Sequence, residues 1–352
     1  MADELRVMSR DDELSSQSAF KPPLPLPDGW IPILESSALK LNQVQSVVAL
    51  GRELAVVRGG TGTVTVLDAF CPHLGANLGV GGVVHQENEM QSEKSIDCIR
   101  CPFHHWSFRL TDGRCSHIPY AEAPVDTGVR LWPAFEVNNF IFVWHCQTSK
   151  NRQNSDEQRQ FLDQWKPEAL PSLASKQLSL IGRLEYTVNC HAQEMVENIA
   201  DVAHFPALHG APLSVGADLG AVTAADKERR GQATEMITFE VTQPWTQSPS
   251  PNGHCASTQM GVTFSLFGWT LYRSTLTING SGPSYLVSTL KASLLGGLFT
   301  VQSAILDHFT PVGTMKTHRV SHVYSQKGLI GYLMGKITFF AAHEMVSFVL
   351  TF

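Results

Sequence analysis

The sequence predicts an α+β fold, an all-β domain followed by a curved antiparallel sheet with helices against it. Three observations carry that prediction. From Trp30 to about Cys146, short β-branched or aromatic runs are separated by Gly, Asn and charged turns. From Leu178 to Phe309, longer runs alternate with period two. Over residues 329 to 352 the period becomes helical, with Leu329, Ile330, Leu333, Ile337, Phe340, Ala341, Met345, Phe348 and Phe352 on one side.

The elements follow in order. Residues 1–29, with Asp3, Glu4, Asp11, Asp12 and Glu13 near the start, are too polar for a targeting or membrane-spanning segment and read as a flexible lead-in. Their end, Lys21 to Pro27, is polyproline-like. Residues 30–150 form the first domain, with strands at Val47–Leu50, Leu54–Val57, Val64–Leu67 and Phe140–Trp144. Gln86 to Lys94 is polar and acidic, the pattern of a solvated excursion. Asn151 to Gln164 is a charged connection that marks the boundary. Residues 165–352 form the second domain. Its expected strands are Leu178–Ile181, Leu184–Val188, Thr234–Val241, Gly261–Thr277, Tyr285–Leu290 and Phe299–Phe309, with one helix from His191 to Phe205 and another at the end.

At 352 residues and 43% hydrophobic content the chain can bury two cores, and a net charge of −6 gives no reason to invoke nucleic acid. Its seven cysteines are an odd number in a chain without a signal peptide, which suits a reducing, intracellular setting without disulfides.

The chemistry concentrates at Cys71-Pro-His73 and, after 27 residues, Cys101-Pro-Phe-His104. Two thiolates on one iron and two imidazoles on the other are the ligands of a Rieske [2Fe–2S] centre. A Cys2His2 zinc site is the other reading, but zinc fingers put two Cys in one knuckle and two His in the next. Here each knuckle carries one of each. The glycines after His73 would let backbone N–H groups approach sulfur, Phe103 and Trp106 would exclude water, and Pro102 and Pro119 would stiffen the loops. His105 competes with His104 as a ligand; the two-residue spacing favours His104, leaving His105 a loop residue.

A second constellation lies at Glu197-Asn-Ile-Ala-Asp201-Val-Ala-His204-Phe-Pro-Ala-Leu-His209. On a continuous helix His204 and His209 would stand about 140° apart, and Pro206 would break that helix and turn His209 back. Two imidazoles and a carboxylate make the facial triad of a non-haem Fe(II) oxygenase. Taken alone, two His this close are more often structural; the upstream knuckles reverse that weighting. Asp201 precedes His204 by three residues, a spacing that shares one helical face and suits a group fixing an imidazole tautomer. The alternative is a helix-surface Asp.

Together these motifs resemble the α-subunit of Rieske non-haem iron oxygenases over residues 30 to 350. Cys71 to Gly82, Cys101 to His104 and Glu197 to His209 are similar in finer detail to the Neverland-type cholesterol 7-desaturases of animals. The resemblance implies electrons from NAD(P)H through a reductase to the [2Fe–2S] cluster, then to a mononuclear Fe(II) that activates O₂ against a sterol C–H bond. It implies a homo-oligomer, a trimeric ring in which the last hop crosses between subunits, with Asp201 linking a cluster His to an iron His. It also implies membrane association, although no spanning helix precedes residue 30. Phe264–Trp269 and Leu294–Phe299 are candidates for an apolar pocket or for ordinary core.

The end of the chain departs from the pattern. The family supplies the third iron ligand from an Asp on the C-terminal helix, followed by a Trp, but after Glu344 this sequence reads Met-Val-Ser-Phe-Val-Leu-Thr-Phe352. On a helical wheel Glu344 sits about 20° from Ile337, in the middle of the apolar stripe. A carboxylate there needs iron, His343, Arg319 or water. Asp307 is the other carboxylate to consider.

Overall fold

The β-branched runs of the first half become three small antiparallel sheets. The structure, a computed structural model, describes residues 25–26, 28–88, 95–123, 125–146, 156–201, 237–248, 254–266 and 269–349. In chain order the first domain has β1 (Gly29–Glu35), β2 (Gln43–Ala49), β3 (Arg52–Arg58), β4 (Val64–Asp68), β5 (Val83–Asn88), β6 (Ser95–Arg100), β7 (Ser107–Arg109), β8 (Cys115–His117), β9 (Leu131–Trp132), β10 (Ala134–Val137) and β11 (Phe140–His145). They pair as β1-β11-β10, β2-β3-β4-β9 and β5-β6-β7-β8. The excursion expected from Gln86 begins as regular strand instead, because Gln86 and Glu87 pair with Asp97 and Ile96 in the β5–β6 hairpin. Polar residues stand on the outward face of a sheet covered on one side, where composition alone reads as loop.

Part of the expected charged connection is helical. Asp156–Gln164 forms α1, which buries Leu162, and Pro171–Ala174 forms the short α2. The second domain then has β12 (Leu178–Val188), α3 (Ala192–Ala200), β13 (Ile237–Gln247), β14 (Cys255–Leu266), β15 (Trp269–Ser281), β16 (Tyr285–Leu294), β17 (Phe299–Gly313), β18 (Lys316–Gln326) and α4 (Leu329–Val349). Its antiparallel sheet runs β12-β18-β17-β16-β15-β14-β13. The two runs around Gly182 are one strand with a register shift between Leu180 and Gly182. The run expected from Gly261 to Thr277 is two strands, for the chain reverses between Leu266 and Trp269, which face each other.

α4 corrects the reading of its apolar stripe. Ile337, at the centre of the stripe, is 61% exposed, and Leu333 and Phe340 are exposed with it. The opposite side packs on the sheet through Gly331, Gly335 and Ala342. Small residues let the helix axis approach β12 and β18 closely: a Cβ on Gly335 would lie 2.6 Å from Ile181 Cγ1 and 2.7 Å from Ser325 Cβ. Phe339 adds an apolar contact on the same side, its ring lying over Gly182 and against Leu184 and Val323.

An aromatic seam joins the two domains. Trp30, Phe140 and Phe142 pack with Tyr285, Leu306 and Tyr324. Phe140 stacks on His308 at 3.9 Å and 11°. Burial first, then His322, pushes the His308 imidazole down to about 3, so it is neutral within the seam. The two-residue turn between β10 and β11, Asn138-Asn139, has φ of 50° and 65°, the left-handed pair of a type I′ hairpin. Its amides donate to Tyr285 at 2.8 Å and to Tyr324 at 3.2 Å. Thr310 Oγ1 donates to the Pro32 carbonyl at 2.8 Å, adding a bond from the far strand.

Candidate metal centre

Each Cys-containing knuckle is closed by its own backbone, and the two are built alike. Cys71 N–H donates to Ala76 O at 2.9 Å and Gly75 N–H to Cys71 O at 2.9 Å. Cys101 N–H donates to Trp106 O at 2.8 Å and His105 N–H to Cys101 O at 3.2 Å. Gly75 has φ +74° and His105 has φ +60°, so His105 stands in the second knuckle where glycine stands in the first. That role in the turn accounts for His105, and the ring that stands beside His73 is that of His104.

Cys71 and Cys101 are buried in a core with Leu67, Leu78, Ile99 and Phe108. Burial, then the neighbouring Cys101 sulfur, pushes the Cys71 thiol up to about 11, while N–H groups of His73 and Leu74 draw it back. The amides that reach sulfur are therefore those of His73 and Leu74. The glycines act otherwise: Gly75 makes the turn, and a Cβ on Gly79 would meet Ser46 Cα at 2.8 Å.

The imidazoles lie at the outer edge. The rings of His73 and His104 are 4.7 Å apart at 75°. Trp106 stacks on His73 at 4.5 Å and 6°, and its indole N–H donates to Tyr120 Oη at 2.7 Å. Trp106 thus covers His73 as expected, whereas Phe103 is 64% exposed and covers little within this chain. Tyr120 escaped the sequence reading; a lone loop tyrosine carries no spacing signal. Cys71 and Cys101 are neighbours in the core and His73 and His104 neighbours at the surface, one Cys and one His from each knuckle, the grouping that two irons with two protein ligands each would need.

His204 and His209 lie outside the described residues. The helix before them is shorter than expected, ending at Ala200 rather than at Phe205. Trp245 Nε1 donates to the Ala200 carbonyl at 2.8 Å, satisfying a last-turn acceptor and ending the helix from outside. Asp201 caps that end with non-helical φ −75° and ψ 84°, so the argument from a shared helical face does not apply to it. His191 caps the other end, accepting from Gln193 N–H at 3.3 Å. Met195 and Ile199 seat α3 on the sheet against Phe309, Leu286 and Met260.

The other carboxylates divide. Asp307 is held by Arg319, with Oδ1 accepting from Nη2 at 2.7 Å and Nε at 3.1 Å, and by the Ser321 hydroxyl. Arg319 is therefore engaged with Asp307. The Glu344 side chain and residues 350–352 lie outside the description.

Residues 29–139 match the Rieske [2Fe-2S] domain family, and residues 147–330 match the 3-ketosteroid 9alpha-hydroxylase C-terminal domain family. The chain belongs to the Rieske oxygenases. Within this family, the cholesterol 7-desaturase of Xenopus laevis is 34% identical over 313 residues, 88% of this chain and 61% of that protein. The cholesterol 7-desaturase of Drosophila melanogaster is 31% identical, over 91% of this chain and 67% of that protein. This Rieske oxygenase chain spans about three-fifths of the length of the first of these relatives. The crystal structure of dicamba monooxygenase bound to 3,6-dichlorosalicylic acid shares its fold, with TM-score 0.59 at 17% identity over 89% of this chain and 82% of that one.

Proposed function

We propose that this chain is the oxygenase component of a sterol 7-desaturase, taking cholesterol to 7-dehydrocholesterol with O₂ and electrons from NAD(P)H through a separate reductase. The observation that carries the reading is the likeness to cholesterol 7-desaturases along 88% of the chain, which includes both mixed Cys-His knuckles. When bound, the [2Fe–2S] cluster supplies single electrons and a mononuclear iron held by His204 and His209 supplies O₂ activation.

The chain's own residues do the rest. Cys71 and Cys101 would hold one side of the cluster in a dry core, where burial and the amides of His73 and Leu74 tune the sulfur. His73 and His104 would hold the other side at the surface, the edge at which an electron enters or leaves. Trp106, anchored by Tyr120, keeps the His73 ring in one plane. Asp201, exposed at the end of α3, is the acid we assign to the link between the two metal sites, with the partner site on a neighbouring subunit of a homo-oligomeric ring. Glu344 is the candidate third iron ligand from this chain.

The C-terminal family match, described by a ketosteroid hydroxylase, favours hydroxylation of another steroid as the second reading. Product analysis with cholesterol, O₂ and a reductase separates them: 7-dehydrocholesterol supports the first, and a hydroxylated steroid without it overturns the first. Iron content tests the iron site independently. About three irons per chain fit an oxygenase, and about two fit a chain that carries the cluster alone.

A further inference from the structure

Three neighbouring strands repeat one pattern on the sheet face that carries the helices. On β12, Leu184 packs with Phe339 and Ala342 of α4, and Val188 packs with Met195 of α3. On β17, Ile305 and Phe309 divide in the same way. On β18, Val323 meets α4, and Thr317 donates to the Cys190 carbonyl just before α3. The positions between are polar: Tyr186 on β12, Arg319 and Ser321 on β18, and Asp307 on β17. Residues two apart share a face, and the register sets Tyr186 opposite Arg319 and Asp307 opposite Ser321. They form one polar patch on the strip of sheet between the two helices, with apolar residues on either side.

The patch is anchored and incomplete. Arg319 and the Ser321 hydroxyl all donate to Asp307 Oδ1, which leaves Oδ2 without a bond among the described residues. The guanidinium stands 5.3 Å from the rings of Tyr186 and Phe309. Tyr186 Oη is buried and has no well-aligned partner among the described residues. Burial, against the pull of Arg319, raises the phenol above its usual range, and the Asp307 charge adds to the rise, so the hydroxyl keeps its proton. An oxygen shut away without a partner is costly, and a buried ion pair seldom repays its desolvation in stability. The Arg319 side chain is still 14% exposed, so the patch is not sealed. A donor at Tyr186 and an acceptor at Asp307, flanking one guanidinium, match an alcohol, which can accept from the first and donate to the second. A ketone can only accept.

Position agrees with the chemistry. His204 follows α3 by four residues, and Glu344 is on α4, so the patch lies between the elements that lead to the candidate iron ligands. In a sterol, C7 belongs to the ring fused to the one that bears the C3 hydroxyl. The group that receives this hydroxyl must therefore stand near the iron. The two stretches read as pocket or core do not compete for the role, because Trp269, Leu295 and Leu298 are exposed at strand connections.

We propose that Tyr186 and Asp307 receive the ring hydroxyl of a sterol and set a preference for alcohol over ketone at that carbon. The inference rests on the sterol reading. The test is equilibrium binding of cholesterol, of its 3-deoxy analogue and of its 3-keto analogue to the whole chain, with near-ultraviolet circular dichroism to check the fold of each variant. The native chain should bind cholesterol at least about tenfold tighter than either analogue. Tyr186→Phe should weaken cholesterol about tenfold and leave the 3-deoxy analogue unchanged. Asp307→Asn offers an N–H where the carboxylate accepts, and should bring the ketone level with cholesterol. Equal binding of the three ligands by the native chain, or a hydroxyl preference that survives in folded Tyr186→Phe and Asp307→Asn, would overturn the proposal. If the same native preparation still forms 7-dehydrocholesterol, the sterol reading stands without it. A folded native chain that neither binds cholesterol nor converts it ends both.

Discussion

The Glu35 carboxylate of β1 meets His322 Nε2 of β18 at 2.6 Å, and Arg183 of β12 closes on the same carboxylate at 2.6 to 2.9 Å. The histidine, and then the arginine, hold Glu35 down from the usual 4.5 to about 2. A carboxyl whose folded pKa lies below its unfolded value stabilises at higher pH and loses that contribution as pH falls through the folded value. We expect Glu35→Gln to cost about 2 kcal/mol at neutral pH, after discounting for the solvent that still reaches the pair. Denaturant midpoints of native and variant chains should converge as pH falls from 4.5 to about 2. A constant gap across that range would place the effect elsewhere.

His105 occupies a left-handed position at φ +60°, in a turn whose counterpart is Gly75. Relief of that conformation, less the extra entropy of an unfolded glycine, should make His105→Gly roughly 0.5 to 1 kcal/mol more stable. Its Rieske absorption should be unchanged, whereas His104→Ala should lose it. Loss of the absorption in His105→Gly would make His105 the ligand.

Gly335 is expected to resist enlargement. Alanine gains about 1 kcal/mol of helix propensity, but its Cβ meets Ile181 and Ser325 inside contact distance. Overpacking of this kind costs about 1–3 kcal/mol, so Gly335→Ala should lower stability by about 1 kcal/mol net. Thermal denaturation that shows a gain would mean that α4 lifts from the sheet freely.

For Asp201→Asn we expect both metal sites to retain their iron and turnover to slow strongly, since an amide cannot replace the charge of a shared carboxylate. Rapid reduction of the cluster with slow single-turnover product formation is the diagnostic pattern. Unchanged turnover at full iron content would assign Asp201 a capping role only.

The site nearest the sequence was the most legible. Cys71, His73, Cys101 and His104 are fixed by local spacing, and local turns build their surroundings. Strands β2, β3 and β4 were equally plain because their apolar runs are short and bounded by turns. β18 is missing from the sequence reading because His318, Arg319, Ser321, His322 and Ser325 break any apolar run, yet partners on β17 and β1 pair Arg319, His322 and Ser325. The ending of α3 depends on Trp245, forty-five residues away in the chain, and no local signal reports such a bond. The burial of α4 was misjudged for a related reason. A wheel ranks faces by hydrophobicity, while the face on the sheet combines Gly331, Gly335 and Ala342, which allow close approach, with Phe339.

Asn138 and Asn139 turn the last hairpin of the first domain and, with the same two side chains, fasten it to the second. A turn that is also a fastening pins the two domains to each other at that point. The imidazole edge therefore keeps a fixed bearing relative to the large sheet, unlike a head that swings between donor and acceptor. On the proposed function, an electron donor therefore has one small exposed edge on a rigid body to find.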